Sequence, residues 1–320
     1  MLLMTAALVA ALGTGPAQAQ AQGQAQGGGA EARRTRTPDT DETVNVSRGT
    51  RLSVNAFAGE VIVRGWARDA VRVQARHSPR TNVTIRPTGS VVAVSASGSP
   101  GSVDYDISVP AWMPVKVEGT YIYIAVEGTQ ADVAAETVRG DISIKGGASS
   151  VSAKSIEGEV ILEAPRGRIN ANSVNQGITI SGGSGEFVVE TTNGHISLTN
   201  MESASVDAAS INGNIKYDGS VAPSGKFRFS THNGNIVVAV PETASAAFTV
   251  RTYNGSLNTN LALKTAGEVR RGQRATYTLG SGSADFELES FGGTIQLRKR
   301  GSDQPLQRLK DKDEDALGVR

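Results

Sequence analysis

The 320-residue chain contains no cysteine, which excludes disulfides, thiolate metal sites and cysteine nucleophiles. Aromatic residues make up only 5% of it, and the 32 Lys and Arg residues nearly balance the 31 Asp and Glu residues. Nucleic-acid-binding proteins usually carry a strong basic excess, so we expect no nucleic acid as a partner. Glycine is abundant instead, with 37 residues, and this mixture is typical of many short strands joined by tight turns.

Motifs of well-known catalytic and cofactor sites are also missing. The sequence has no HExxH, GxSxG, P-loop or GxGxxG element. The three histidines, His77, His195 and His232, do not share a position in any repeating pattern. We therefore expect no catalytic residues, no cofactor and no metal site.

The N-terminal residues predict an export signal. Residues 2–12 are an apolar run that is too short to span a bilayer, and Ala17-Gln18-Ala19 offers a small-x-small cleavage site. The basic residue that usually precedes such a run is absent. We expect residues 1–19 to be a signal peptide and residues 20–43 a disordered linker. The expected location is extracytoplasmic, that is periplasmic, at the cell surface or secreted, with no transmembrane span.

Four Asn-Gly pairs recur in the same local frame. They are Asn193-Gly194, Asn212-Gly213, Asn233-Gly234 and Asn254-Gly255, with glycines 19, 21 and 21 residues apart. A spacing near twenty that keeps the same turn residues indicates a repeat architecture. We expect these eight residues to form a structural turn ladder, in which the asparagine amides bond up the stack and the glycines adopt a positive φ.

Apolar residues alternate with polar ones on both sides of each turn glycine, which is the period of a strand with one buried face. The pattern predicts an all-β, single-domain β-solenoid of stacked strand-turn-strand rungs of about 19 residues, each burying its neighbours. The solenoid is expected over residues 111–299, after an irregular β region at 44–110 and before a charged flexible tail at 300–320. A chain of separate hairpins is the alternative, because Asn-Gly is also a strong hairpin signal. Recurrence of the same residue types at the same positions favours the solenoid.

Several local expectations follow from stacking the units in chain order. Phe227 should lie over Phe248 in the interior. The unit around Gly177 should hold one extra residue, as a β-bulge or a wider corner. Residues 261–278 should form a projecting basic loop or hairpin, and the last unit, at 284–297, should close the domain.

The chain resembles a known family in its units of the type Thr-Asn-Gly-x-Ile-x-Leu, spelled in full at residues 192–198, in the signal peptide, in Tyr105-Asp-Ile-Ser-Val-Pro110 and in the closing Phe291-Gly-Gly-Thr-Ile-Gln-Leu297. It is the bacterial β-strand-repeat family whose members are called putative adhesins, a domain of unknown function. The resemblance covers residues 44–299. It implies an exported, non-catalytic β-solenoid and supplies no binding site.

The leading functional hypothesis is an extracytoplasmic module for binding or scaffolding, with a cell-envelope protein or glycan as partner. The alternative is a carbohydrate-active enzyme, a polysaccharide lyase or hydrolase, that uses Asp141 and Glu159 on adjacent rungs. A self-assembling polymer is a third possibility, since open rungs present unpaired edges. Arg139-Gly140-Asp141 spells a tripeptide of some adhesion ligands, but we interpret it as an ordinary turn with Val138 and Ile142 facing inward.

Overall fold

Short strands follow one another along the chain in the frame that the sequence predicts. The computed structural model describes residues 38–98, 101–266, 274–302 and 305–309, which all belong to one compact unit. The predicted signal peptide and most of the predicted linker lie outside the described residues. In the described part, 25 strands form one continuous hydrogen-bonded sheet. This confirms the predicted all-β fold.

The strands fall into three groups along the chain. The N-terminal group comprises β1 (Thr40–Asn45), β2 (Arg51–Trp66), β3 (Ala70–Arg76), β4 (Thr81–Thr88), β5 (Val91–Gly98), β6 (Val103–Pro110) and β7 (Val115–Glu127). The regular rungs comprise β8 (Val133–Arg139), β9 (Ile142–Lys145), β10 (Ser150–Glu157), β11 (Val160–Glu163), β12 (Arg166–Ser173), β13 (Ile178–Ser181), β14 (Ser184–Thr191), β15 (Ile196–Ser210), β16 (Ile215–Gly219), β17 (Lys226–Thr231), β18 (Ile236–Val240), β19 (Ala246–Thr252) and β20 (Leu257–Thr259). The C-terminal group comprises β21 (Lys264–Ala266), β22 (Ala275–Leu279), β23 (Ala284–Ser290), β24 (Ile295–Lys299) and β25 (Gln307–Leu309).

Each rung contributes one strand to each of two faces. The first face contains, in spatial order, β4, β5, β2, β7, β8, β10, β12, β14, β15, β17, β23, β19, β22 and β21. The second contains β1, β3, β6, β2, β7, β9, β11, β13, β15, β16, β18, β24, β20 and β25. Within the regular rungs the neighbours are parallel, so like residues stack along the axis.

Alternate residues of both faces fill the interior. In β11, for example, Val160 and Leu162 are fully buried and Ile161 between them is half-buried, as period-two alternation requires. Three tyrosines, Tyr105, Tyr217 and Tyr277, are also buried. The Tyr217 hydroxyl donates to the Ser220 carbonyl at 2.9 Å. The Tyr105 hydroxyl has no partner among the described residues, and burial raises the pKa of Tyr105 to about 12.

The unit around Gly177 contains no inserted residue, so that prediction was wrong. Strand β12 pairs with β10 and β14, and β13 with β11 and β15, all without a register shift. Gln176 therefore occupies the position that glycine holds in neighbouring rungs, and Gly177 follows it. Register shifts occur instead where β15 pairs with β14 and with β16.

The last rung in the chain is not the last rung in space. Strands β23 and β24 lie between β17–β18 and β19–β20 on their respective faces. Phe286 of β23 therefore separates Phe227 from Phe248, with ring centroids 4.3 Å from the former and 4.8 Å from the latter. The predicted contact of Phe227 with Phe248 was wrong. The units with Phe248 and Phe286 both have phenylalanine at the equivalent position, so the sequence pattern does not tell which of them packs on Phe227.

Antiparallel strands cover both ends of the stack. Strand β1 begins at Thr40 and pairs with β3, so ordered structure starts inside the segment predicted as linker. At the other end, β22 pairs with β19 and with β21. The segment predicted to project is thus a hairpin that caps the first face, with residues 267–273 outside the described residues. Strand β25 pairs with β20, which corrects the predicted flexible tail at Gln307–Leu309.

Candidate binding groove at the solenoid corner

A column of buried hydroxyls fixes the corner of each rung. A Ser or Thr three residues before the glycine position donates to a backbone carbonyl of the adjacent rung, at 2.8–3.1 Å. The pairs are Ser155 with Gly140, Ser173 with Gly158, Thr191 with Gln176, Ser210 with Gly194, Thr231 with Gly213 and Ser290 with Gly234. These bonds satisfy carbonyls that would otherwise be buried without partners. This column was not among the features predicted from the sequence, although its signal, Ser or Thr at a constant offset, is visible there.

The corner glycines are required by close approach between rungs. A Cβ atom on Gly213 would lie 1.8 Å from the carbonyl oxygen of Gly194, and one on Gly234 would lie 2.0 Å from that of Gly213. The expected positive φ is not present at Gly194, Gly213, Gly234 or Gly255. The expectation was wrong because the parallel stack, not a left-handed turn, excludes a side chain here.

An asparagine ladder follows the corner, with a different membership from the predicted one. The Nδ2 of Asn193 donates to Oδ1 of Asn175, that of Asn212 to Asn193, and that of Asn233 to Asn212, at 2.8–3.1 Å. Asn254 lies outside this ladder, because the inserted β23–β24 rung separates it from Asn233. Gly255 instead packs against Gly293, and a Cβ on Gly255 would lie 1.9 Å from the carbonyl oxygen of Gly293.

A second column, one place after the glycine, uses side-chain acceptors for backbone N–H groups. Asp141 accepts from the Glu159 N–H at 2.8 Å, and Nδ1 of His195 accepts from the Asn214 N–H at 2.9 Å. Thr179 donates to the Glu159 carboxylate at 3.3 Å. The two carboxylates of the enzyme alternative are therefore engaged in holding adjacent rungs together.

Between the hydroxyl column and the asparagine ladder, one outward position per rung forms an exposed ridge along the corner. We call it the corner ridge; its members are Phe57, Thr120, Val138, Ile156, Val174, Thr192, Ile211, His232, Phe291 and Tyr253, in register from rung to rung. Val138 is 43% exposed, so its predicted inward orientation was wrong. Six of its ten side chains are both apolar and exposed, namely Phe57, Val138, Ile156, Val174, Ile211 and Phe291, and exposed apolar side chains concentrated along one line mark a candidate interaction surface.

A groove runs beside the C-terminal part of the corner ridge. The neighbouring outward column carries Asn172, Glu190, Ala209, Ser230 and Glu289, and the small Ala209 and Ser230 leave a depression between longer side chains. The groove has a volume of about 690 Å³, which is within the range of small-molecule sites. Its ridge side is formed by Val174, Thr192, Ile211, His232, Phe291 and Tyr253.

The Toastrack DUF4097 family model matches residues 49–298. The chain belongs to this family. The resemblance drawn from the sequence motifs is thereby confirmed. Among curated proteins, no relative matches this Toastrack chain.

Solved structures similar to this Toastrack chain carry adhesin names. A "putative adhesin" from Bacteroides fragilis is 11% identical, with 81% of this chain and 96% of that chain covered and a TM-score of 0.41. A "putative adhesin" from Parabacteroides distasonis is 9% identical, with 80% and 96% covered and a TM-score of 0.43. A "putative cell adhesion protein" from Clostridium sporogenes is 11% identical, with 82% and 99% covered and a TM-score of 0.19.

Aromatic rings close the C-terminal end of the Toastrack groove. The His232 and Phe291 rings are parallel within 7° with centroids 4.7 Å apart, and Tyr253 lies 5.1 Å from Phe291. Because the rings stack on one another along the axis, they present mainly their edges to the groove. From the sequence, His232 was considered only in connection with a metal site, and none was expected.

Two carboxylates line the groove, and one of them is paired with an arginine. Glu190 and Glu289 line it, and Arg251 approaches Glu289 at 3.6 Å. Elsewhere on the corner, Arg139 pairs with Glu157, and this hydrogen bond raises the pKa of Arg139. The described residues include no cluster of three or more His, Asp or Glu side chains that could hold a metal ion. They also include no helix long and apolar enough to cross a membrane.

Proposed function

We propose that this Toastrack protein is an extracytoplasmic, non-catalytic binding module of the cell envelope, and that the groove beside the corner ridge is its binding surface. The observation that carries the proposal is the exposed apolar row at the groove, above all Ile211 and Phe291, which are 51% and 41% exposed. Exposed apolar side chains in a row lower the solubility of a protein, and in soluble proteins they commonly mark interaction sites. Export is supported by the apolar run and the Ala17-Gln18-Ala19 cleavage site.

The core of the structure does not depend on the ridge side chains. Stability comes from the buried columns, whereas Ile211 and Phe291 project outward. A polar substitution at the ridge should therefore affect binding without unfolding the domain, which makes the proposal testable by mutation. The enzyme alternative gains no support from Asp141 and Glu159, since neither lines the groove.

The test compares Ile211→Asp with Ile156→Asp. Both isoleucines occupy the same ridge position and are similarly exposed, at 51% and 46%, but only Ile211 lines the groove. In the host cell, Ile211→Asp should reduce surface attachment or envelope integrity as a gene deletion does, and Ile156→Asp should not. If the deletion itself changes neither property, the proposal loses its basis. Sequencing of the mature N-terminus should find Gln20 first; a protein retained in the cytoplasm would contradict the export part.

A further inference from the structure

We infer that the two C-terminal rungs have a second stacking order, which forms first as the chain folds, and that a clasp at Arg300 selects the order seen in the structure. In the inserted order of the structure, β23–β24 lies between β17–β18 and β19–β20. In the second order, which we call chain order, β19–β20 packs directly on β17–β18 and β23–β24 follows it. Neither order depends on the groove being a binding site.

The two rungs offer β17–β18 equivalent contacts. Their inward residues are in register with one another, as Phe248 is with Phe286 and Leu257 is with Ile295. Chain order would also add a contact, because Asn254 would continue the asparagine ladder beyond Asn233, whereas Gly292 at that position has no amide. The inward and corner residues therefore do not by themselves impose the inserted order.

The connections fit an insertion into an existing stack. Residues 220–225 connect β16 to β17 and rise one rung, whereas the shorter connector at 241–245 rises two rungs from β18 to β19. Residues 280–283 then lead from β22, on one side of β19, to β23 on its other side. They pass over this connector, where the N–H groups of Ser281 and Ser283 donate to Oγ of Ser245 at 3.1 and 3.0 Å. Strand β23 thus enters between two rungs that the chain has already joined.

Loop closure favours chain order early in folding. Phe248 lies 21 residues from Phe227 along the chain, and Phe286 lies 59 residues from it. The entropic cost of closing the shorter loop is lower, which favours the contact with Phe248 roughly fivefold before other interactions form. The rung β19–β20 is therefore the first to cover the open edge of β17–β18.

The clasp stabilises the inserted order alone. Nε of Arg300 lies 2.7 Å from Oδ1 of Asp218, and Nη2 donates to Oδ1 of Asn200 at 3.0 Å. The Arg300 N–H also donates to the Val240 carbonyl at 2.8 Å. In chain order β24 would lie one rung farther from all three partners, about 4.8 Å, and these contacts would be lost. The clasp therefore draws β23–β24 into its inserted place.

The experiment follows the stacking order while the full mature protein refolds from urea, using short oxidant pulses and peptide mass spectrometry. Arg228→Cys with Thr249→Cys reports chain order, since the Cα atoms would be about 4.8 Å apart there and are about 9.6 Å apart in the inserted order. Arg228→Cys with Glu287→Cys reports the inserted order. Arg228→Cys with Ala247→Cys is the matched control: it is two residues out of register, about 8 Å apart even in chain order, and so reports only encounters in the unfolded chain.

Early pulses should give about tenfold more of the chain-order disulfide than of the out-of-register one, and its yield should fall as the inserted disulfide rises. After refolding, Arg300→Ala should raise the chain-order yield about tenfold, as expected for losing hydrogen bonds to a charged group. Asp218→Asn should act in the same direction. Arg298→Ala should not, because Arg298 donates to Gln296 of its own strand.

Two results would overturn the inference. Equal early yields of the chain-order and out-of-register disulfides would show that no chain-order stack forms. Equal final yields of the chain-order disulfide in Arg300→Ala and Arg298→Ala would show that the clasp does not select the order. If Arg300→Ala prevents folding, its in-register disulfides fall to the out-of-register level, and Asp218→Asn decides the role of the clasp.

Discussion

The position of Phe286 provides the sharpest test of the rung order. Its side chain is 1% exposed and lies between Phe227 and Phe248, at 4.3 and 4.8 Å. Truncating a buried phenylalanine to alanine costs about 3–5 kcal/mol, and the two lost ring pairs place Phe286→Ala toward the upper part of that range. In a stacked-repeat protein the loss falls on the adjacent rungs, because stability is carried by nearest-neighbour interfaces.

Native-state hydrogen exchange measured by mass spectrometry localises the effect. A loss of about 4 kcal/mol corresponds to roughly a thousandfold faster exchange. We expect that acceleration in β23 and also in β19, which depends on β23 for its parallel partner, whereas β10 should be unchanged. Phe248→Ala is the matched control, since it should expose β19 and β22 but leave β23 protected by β17. If β19 keeps its protection in Phe286→Ala, the inserted order is refuted.

A covalent version of the same test uses the absence of native cysteines. Arg228 of β17 is directly opposite Glu287 of β23, so Cα atoms about 4.8 Å apart meet the geometry of a disulfide. Thr249 of β19 is a further rung away, at about 9.6 Å, which is too far. The pair Arg228→Cys with Glu287→Cys should oxidise readily, and Arg228→Cys with Thr249→Cys should remain reduced. The opposite result would mean that the rungs stack in chain order.

Three further predictions concern the corner, the core and the asparagines. Gly213→Ala should destabilise the domain by about 3 kcal/mol through overpacking, as measured by urea unfolding. Gly292→Ala is the control and should have little effect, because its Cβ would lie 3.5 Å from the nearest atoms. Equal losses in the two variants would argue against close approach as the cause. Burial raises the pKa of Tyr105 from 10.0 to about 12. The contribution of the neutral side chain to the free energy of unfolding is therefore complete below pH 10. That contribution, up to about 3 kcal/mol, should be lost as the pH rises from 10 through 12. Tyr105→Phe should remove that part of the alkaline loss without loss at pH 8, since the hydroxyl has no partner among the described residues, while Tyr217, whose pKa burial also raises, keeps its own part. An unchanged alkaline profile would show that Tyr105 is not responsible for the loss between pH 10 and 12. Asn254, outside the ladder, should deamidate faster at pH 8 than Asn212, whose amide is held on both sides; peptide mass spectrometry measures both, and equal rates would show that the ladder gives no protection.

The repeat frame was predictable because stacking rewards the same residue type at the same position. Alternating apolar residues beside each glycine therefore identified the interior, including Phe227 and Leu162. The order of the last rungs was not predictable from the same pattern. The unit with Phe248 and the unit with Phe286 have equivalent residues, so local sequence cannot tell which one packs on Phe227, and only the 38-residue gap between Gly255 and Gly293 indicated an irregularity.

The groove was hidden for a related reason. Its ridge position holds residues as different as Thr192, Ile211 and Phe291, so it shows no column in the sequence, and its depression depends on two small side chains, Ala209 and Ser230. A binding surface of this kind has no required residue type at any one rung. It becomes visible only when the register places the rungs side by side.

Inward and outward positions of the rungs are under different constraints. The inward residues, the corner hydroxyls and the glycines are constrained by neighbouring rungs, since a Cβ at Gly213 or a missing hydroxyl at Ser210 disturbs buried backbone. The outward positions at Ala209 and Ile211 touch no such constraint, and surface substitutions away from buried features usually change stability by less than about 0.5 kcal/mol. Sequence change can therefore reshape the groove rung by rung at little cost in folding. A ligand that spans six rungs would sum many small, separately adjustable contacts, and the affinity of such a site should rise with ligand length.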